Sequence, residues 1–254
     1  MTASRDRLPD WLESLPLFAL AVGLAALGAL SIATRDFAFQ WQPVAADVPA
    51  RQGLAIVFGL LELLAGVLVL PARTRRIGTL LAAVALAAWT ALHVPSVASR
   101  PGSLVDWLGL AESAAMAAAV LSLAAAGRKP GGAASGRVGV VVFGLSAVVF
   151  GASHFVYADF TASMIPAWLP QRVALAYLTG ASHALAGLAI TFGVLRVLAA
   201  GLEALMMLSF VVLVHASRVA VHPESRMEWT MLLVAVMLSA SAAVIALTAR
   251  RRAA

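Results

Sequence analysis

Apolar residues in this chain neither alternate with polar ones nor form one-sided stripes; they run on in long blocks. Blocks of about 20 apolar residues, the length a helix needs to cross a bilayer core, recur at 15–34, 52–70, 77–95, 104–126, 138–157, 172–194, 197–217 and 229–249. Strand-type alternation is absent and Ala and Leu dominate, so the spans are expected to be helices and not barrel strands. The pattern predicts an all-α polytopic membrane protein with eight transmembrane helices. The first block is too long for the apolar core of a signal peptide and has a counterpart later in the chain, so it counts as a span.

Composition sharpens this. Of 254 residues, 62% are hydrophobic and 12% charged, against roughly 25% charged in a soluble domain. The absence of cysteine excludes thiol redox chemistry, disulfides, iron–sulfur clusters and thiolate metal sites. No phosphate-binding loop, GxSxG elbow or dinucleotide fingerprint occurs.

The net charge of +6 is a matter of placement and not a signal for nucleic acid. With eight spans both termini share one side. That side holds Arg5, Arg7, Arg73, Arg75, Arg76, Arg128, Lys129, Arg137, Arg196, Arg250, Arg251 and Arg252, and the other holds Arg35, Arg51, Arg100, Arg172, Arg218 and Arg226. Twelve cations against six puts both termini in the cytoplasm by the positive-inside rule and the chain in the cytoplasmic membrane of the cell. The lipid bilayer is then the first partner, and the basic inner face favours anionic headgroups.

The two halves of the chain superimpose. "RDFAFQWQPV" (35–44) matches "ADFTASMIPA" (158–167), and Pro49 and Arg51 match Pro170 and Arg172. Gly59, Glu62 and Gly66 match Gly180, His183 and Gly187; His93, Pro101, Ser103, Asp106 and Trp107 match His215, Pro223, Ser225, Glu228 and Trp229. The offset stays within 121–123 residues. This is the mark of an internal repeat. It predicts two tandem four-helix bundles, 1–126 and 138–254, joined by the basic, Gly-rich linker 127–137. An even number of spans per half makes the repeat parallel, related by an axis along the membrane normal. The connections after the first and fifth spans carry aromatics and prolines (Phe37, Phe39, Trp41, Pro43, Pro49; Phe160, Met164, Pro166, Trp168, Pro170). Each reads either as an interfacial segment over the mouth of its bundle or as a simple anchored loop.

"HFVYADFTASMIPAWLPQRVALAYLTGASHALAGLAI" (154–190) resembles the DoxX-like membrane proteins. In that family a first span leads into an aromatic and proline loop, and the second span carries a Gly, an acid and a closely following Gly. The resemblance is clearest over 144–195 and extends through the repeat to 24–70. It implies a four-helix unit, here doubled, and a link to redox complexes and quinone-coupled oxidation. Glu62 matches the acid of the family's second span; the second half has His183 there, a departure from the pattern.

Gly59, Glu62 and Gly66 lie on one helix face, as do Gly180, His183 and Gly187. Small residues permit close helix approach, which would turn Glu62 and His183 into the bundle. An ionisable group there is either a functional site or a structural interhelical hydrogen bond. Glu112 and Glu203 are also intramembrane but lack the flanking glycine pattern, with no glycine on both sides at that spacing. His154, His183 and His215 fall in the outer portion of the second half, and His93 mirrors His215. The three histidines are a weak candidate metal set, because no two are spaced i, i+3 or i+4 on one helix. Trp41, Trp89, Trp107, Trp168 and Trp229 fit an aromatic belt.

No catalytic motif emerges. Two readings stay open. One is a redox-associated subunit that binds a quinone or another lipophile between the outer halves of the helices, with Glu62, His183 and His154 as anchors and His93 and His215 nearby. The other is a non-enzymatic component: a scaffold for a membrane or redox protein partner, or a small-solute carrier.

Overall fold

The computed structural model describes residues 10–126 and 133–253. Residues 127–132 of the expected linker, and Arg5, Arg7, Arg128 and Lys129 of the charge count, lie outside the described residues. Among the described residues the structure is helical without strands: α1 (Asp10–Thr34), α2 (Arg51–Val69), α3 (Arg75–Ser99), α4 (Leu104–Ala126), α5 (Ala133–Val156), α6 (Ala158–Met164), α7 (Arg172–Phe192), α8 (Arg196–Phe210), α9 (Ala216–Val221) and α10 (Arg226–Ala253). A short 3-10 turn covers Phe39–Trp41, and a π-helical stretch, Val211–His215, joins α8 to α9. Eight segments are long and apolar enough to cross a membrane, the seventh being the run Arg196–Val221 through the π-helical stretch. The all-α, eight-span expectation therefore stands.

Helix neighbours come in two parallel sets. α1 packs on α2, α2 on α3 and α3 on α4; α5 packs on α7, α7 on α8 and α8 on α10. The sets meet through α4 with α5, α1 with α10, and α4 with α10. The main apolar core lies along these central helices, around Leu24, Leu27, Met116, Phe143, Met237 and Ile245. α7 and α8 are the most peripheral spans, with many apolar side chains outward, such as Leu185, Leu198 and Leu205. In a bilayer that face meets lipid.

Matching positions often make matching bonds. Trp107 Nε1 donates to the Pro101 carbonyl and Trp229 Nε1 to the Pro223 carbonyl, both at 2.9 Å. Arg75 Nε donates to the carbonyl of Val69, and Arg196 Nε to that of Ile190. Each arginine caps the carbonyl end of the preceding span, where orphan acceptors and the negative end of the helix dipole favour a cation. Two of the cations counted for the expected topology thus also have a local structural use.

The two ends of the bundle differ. At the terminal face Arg251 of α10 is paired with Glu13 of α1 at 2.7 Å, which brings both ends of the described chain to one side. At the opposite, loop face Arg226 at the start of α10 reaches across to the first connection. It bonds Asp36 Oδ2 at 3.2 Å and the carbonyls of Asp36 and Phe37, while Arg51 pairs with Asp36 Oδ1.

Candidate functional site

The glycine faces do bring helices together. A Cβ on Gly59 would lie 2.8 Å from the Gly28 carbonyl oxygen, and one on Gly180 would lie 2.8 Å from His154 Cβ. The backbones of α1 and α2, and of α5 and α7, approach so closely that the polar residue between each pair of glycines points inward. Glu62 and His183 are buried.

From there the halves diverge. In the first, the connection after α1 turns into the bundle. Trp41 and Gln42 are 3% and 1% exposed. Gln42 Nε2 and Trp89 Nε1 both donate to Glu62 Oε1, at 2.6 and 2.7 Å. Trp41 Nε1 donates to Glu112 Oε2 at 2.6 Å, and Gln42 Oε1 accepts the Ala38 N–H at 2.7 Å. The loop is a plug that sends one side-chain hydrogen bond to each acid beneath it, Gln42 to Glu62 and Trp41 to Glu112. His93 is buried one helical turn from Trp89, its ring against Gly109 of α4. Glu62 Oε2, His93 Nε2 and Ser31 Oγ have no protein partner.

In the second half the matching segment stays outside. It forms α6 and then leads past Trp168, which is 71% exposed. His183 finds its partner in another helix: its Nδ1 lies 2.6 Å from Oε1 of Glu203 on α8. Both side chains are buried, and Glu203 Oε2 has no protein partner. His154 Nδ1 lies 2.9 Å from Thr179 Oγ1. That hydroxyl already donates to the Leu175 carbonyl, so the imidazole N–H is the donor here. The His154 and His183 rings meet edge to face with centroids 5.1 Å apart, and Phe150 and Phe210 pack around them. A groove of about 480 Å³ opens between α7 and α8, lined by Ser182, Leu185, Leu198, Leu202, Glu203 and Met206.

The three histidines weighed as a weak metal candidate are not gathered into one site. Among the described residues no three His, Asp or Glu side chains are placed to hold a metal ion. His183 and His154 direct their Nδ1 atoms to different partners, and His215, at the end of the π-helical stretch, has Arg218 and Glu228 as its charged neighbours. Two of the belt tryptophans also change role. Trp41 and Trp89 are buried donors to carboxyl groups, whereas Trp107, Trp168 and Trp229 are exposed as a belt requires.

Sequence reasoning missed Gln42 altogether, read Trp89 as a belt residue, and noted Glu203 as intramembrane without pairing it to His183. For Glu203 a signal existed. An acid in the interior of a span with no counterpart in the first half, where Leu81 and Ala82 stand, needs a partner of its own.

Fold and site together define a polytopic helical membrane protein with two buried polar centres of unlike construction. Comparison with protein families, with characterised proteins and with solved structures finds no match to this chain.

Proposed function

We propose that this protein is a doubled, DoxX-like four-helix membrane protein of the cytoplasmic membrane, its termini inside, that binds a quinone or a similar lipophile as part of a redox assembly. One observation carries the reading: a buried carboxyl group, Glu203, held by His183 through one oxygen and left without a partner on the other, on an apolar groove at the bundle's lipid-facing side. A polar group buried without a partner costs about 1–3 kcal/mol. A lipophile with a hydrogen-bonding head would remove that cost. A carboxylate accepts from a hydroxyl, and a protonated carboxyl donates to a carbonyl, so both members of a quinone–hydroquinone couple suit it. The apolar wall of Leu185, Leu198, Leu202 and Met206 suits a chain arriving from the bilayer. This reading puts the head nearer the terminal face than the outer-half location expected from the histidines, and assigns Glu62 to structure: it too has one unpartnered oxygen, but Gln42 and Trp89 close over it and the groove is lined by Glu203 and not by Glu62.

The test is purification of wild-type protein and Glu203→Leu from quinone-containing membranes, with extraction and chromatography of bound lipophile. Wild type should carry a quinone that Glu203→Leu loses; because leucine also leaves His183 without its partner and lowers stability, Glu62→Leu, destabilised in the other half with Glu203 intact, serves as the control and should keep the quinone. Quinone absent from wild type, or retained equally by the variant, refutes the reading. In that case a stoichiometric protein on pull-down would identify a scaffold, and solute flux into liposomes that depends on His183 would identify a carrier.

A further inference from the structure

We propose that the loop-face cleft between α6 and the start of α7 binds a phosphoethanolamine zwitterion, its phosphate on Arg172 and its ammonium on Asp159. The argument starts from matching positions with unlike fates. In the first half Asp36 and Arg51 are paired with each other, Arg51 also bonds the Ala45 carbonyl at 3.2 Å, and Arg226 closes over both Asp36 and Phe37. In the second half the same two residues are Asp159 and Arg172. Among the described residues no ion pair joins them; they stand on a cleft of about 640 Å³ together with Ser163, Gln171 and Val173. The position matching Arg226 in the first half is Leu104, so no internal arginine comes to Asp159.

The cleft has two chemically distinct walls. Asp159 and Ser163 are four residues apart on α6, hence on one face, and offer only acceptors and a hydroxyl to a cation. Arg172 offers a guanidinium, whose planar fork of N–H groups suits phosphate oxygens. Beside it the first turn of α7 has amides with no helical acceptor, because the first return bond runs from Leu175 N to the Gln171 carbonyl. A zwitterion meets both walls at once, whereas a simple anion or cation meets only one of them. The depth also fits a headgroup: Phe160, next to Asp159 in the chain, and Trp168, four residues before Arg172, are 65% and 71% exposed, and such aromatics sit at the headgroup level of a bilayer.

The experiment offers delipidated protein in detergent equal amounts of phosphatidylethanolamine and phosphatidylglycerol, and reads retained lipid by native mass spectrometry. A parallel arm offers phosphoethanolamine without acyl chains. Wild type should prefer the ethanolamine lipid. Asp159→Asn should keep lipid but lose the preference, and Arg172→Gln should lose retention of both lipids, each change being up to about fivefold, the scale of a partly exposed ion pair. Both side chains are exposed, so the variants should melt as wild type does. Retention of the acyl-free compound would assign a soluble source, and retention of the lipid alone would assign the bilayer. No preference in wild type, or the same preference in both variants, overturns the proposal.

Discussion

Glu62→Gln and Glu62→Leu should differ sharply in stability, because two donors converge on one atom. Gln42 Nε2 and Trp89 Nε1 both reach Glu62 Oε1, while Oε2 has no protein partner. A glutamine placed with its carbonyl where Oε1 sits accepts both bonds, and its amide takes the place of the unpartnered oxygen. Leucine accepts neither and strands two buried donors. Hydrogen bonds between helices within a membrane measure about 0.6 kcal/mol on average and reach about 1.7. Two of them put the cost of leucine at about 1–3 kcal/mol, with glutamine well under 1 kcal/mol. Losing Gln42 as an anchor should also loosen the plug and expose Trp41. The assay is equilibrium unfolding of the purified protein in mixed micelles, with tryptophan emission as a second readout. Equal stabilities for the two variants, with no red shift for leucine, would refute the claim that the plug is held by these bonds.

Three further outcomes are expected. Gly180→Leu should lose about 1–3 kcal/mol by overpacking, since even a Cβ there meets His154 Cβ at 2.8 Å; unfolding midpoints check it. Gly201→Ala should gain about 0.5–1 kcal/mol from helix propensity, because a Cβ at Gly201 meets nothing within 4 Å; a lower melting temperature would contradict this. The chain has no cysteine, so Ala167→Cys and Ala72→Cys can be labelled in intact cells; the first should react from outside and the second only after permeabilisation.

What was legible in the sequence follows the range of the interactions. The eight spans were legible because bilayer thickness and backbone satisfaction act on every residue of a segment. The close α1–α2 and α5–α7 contacts were legible because two glycines on one face leave little other reason for their spacing. Partner choice was not. Nothing local to Trp89 distinguishes a belt residue from a donor to Glu62; that depends on the rotation of α3 against α2. Nor does the connection after α1 announce that it dips inward while its counterpart stays out. The difference rests on Gln42, which has an acid below it; the matching residues Met164 and Ile165 have nothing to offer one.

The exchange of Glu62 for His183 shows why the two centres cannot be interchanged, and it predicts a rescue. Glu62 is an acceptor facing two donors. His183 presents a ring nitrogen to the carboxyl group of Glu203 at 2.6 Å. Writing the first half's residue into the second, His183→Glu, would set two buried carboxyl groups against each other with no cation among the contacts described for either. Breaking a buried pair in this way costs about 3–5 kcal/mol. The double variant His183→Glu with Glu203→Gln restores a donor–acceptor pair, since the Gln amide can donate to the new carboxylate. It should therefore recover much of the loss, leaving a negative coupling energy in the double-mutant cycle. His183→Gln alone keeps a donor toward Glu203 and should be milder than His183→Glu. The readout is unfolding free energy in mixed micelles for the four corners of the cycle. Additive losses, with the double variant worse than either single one, would mean that His183 and Glu203 do not act as a pair, and would remove the support for Glu203 as the group that receives a ligand's head.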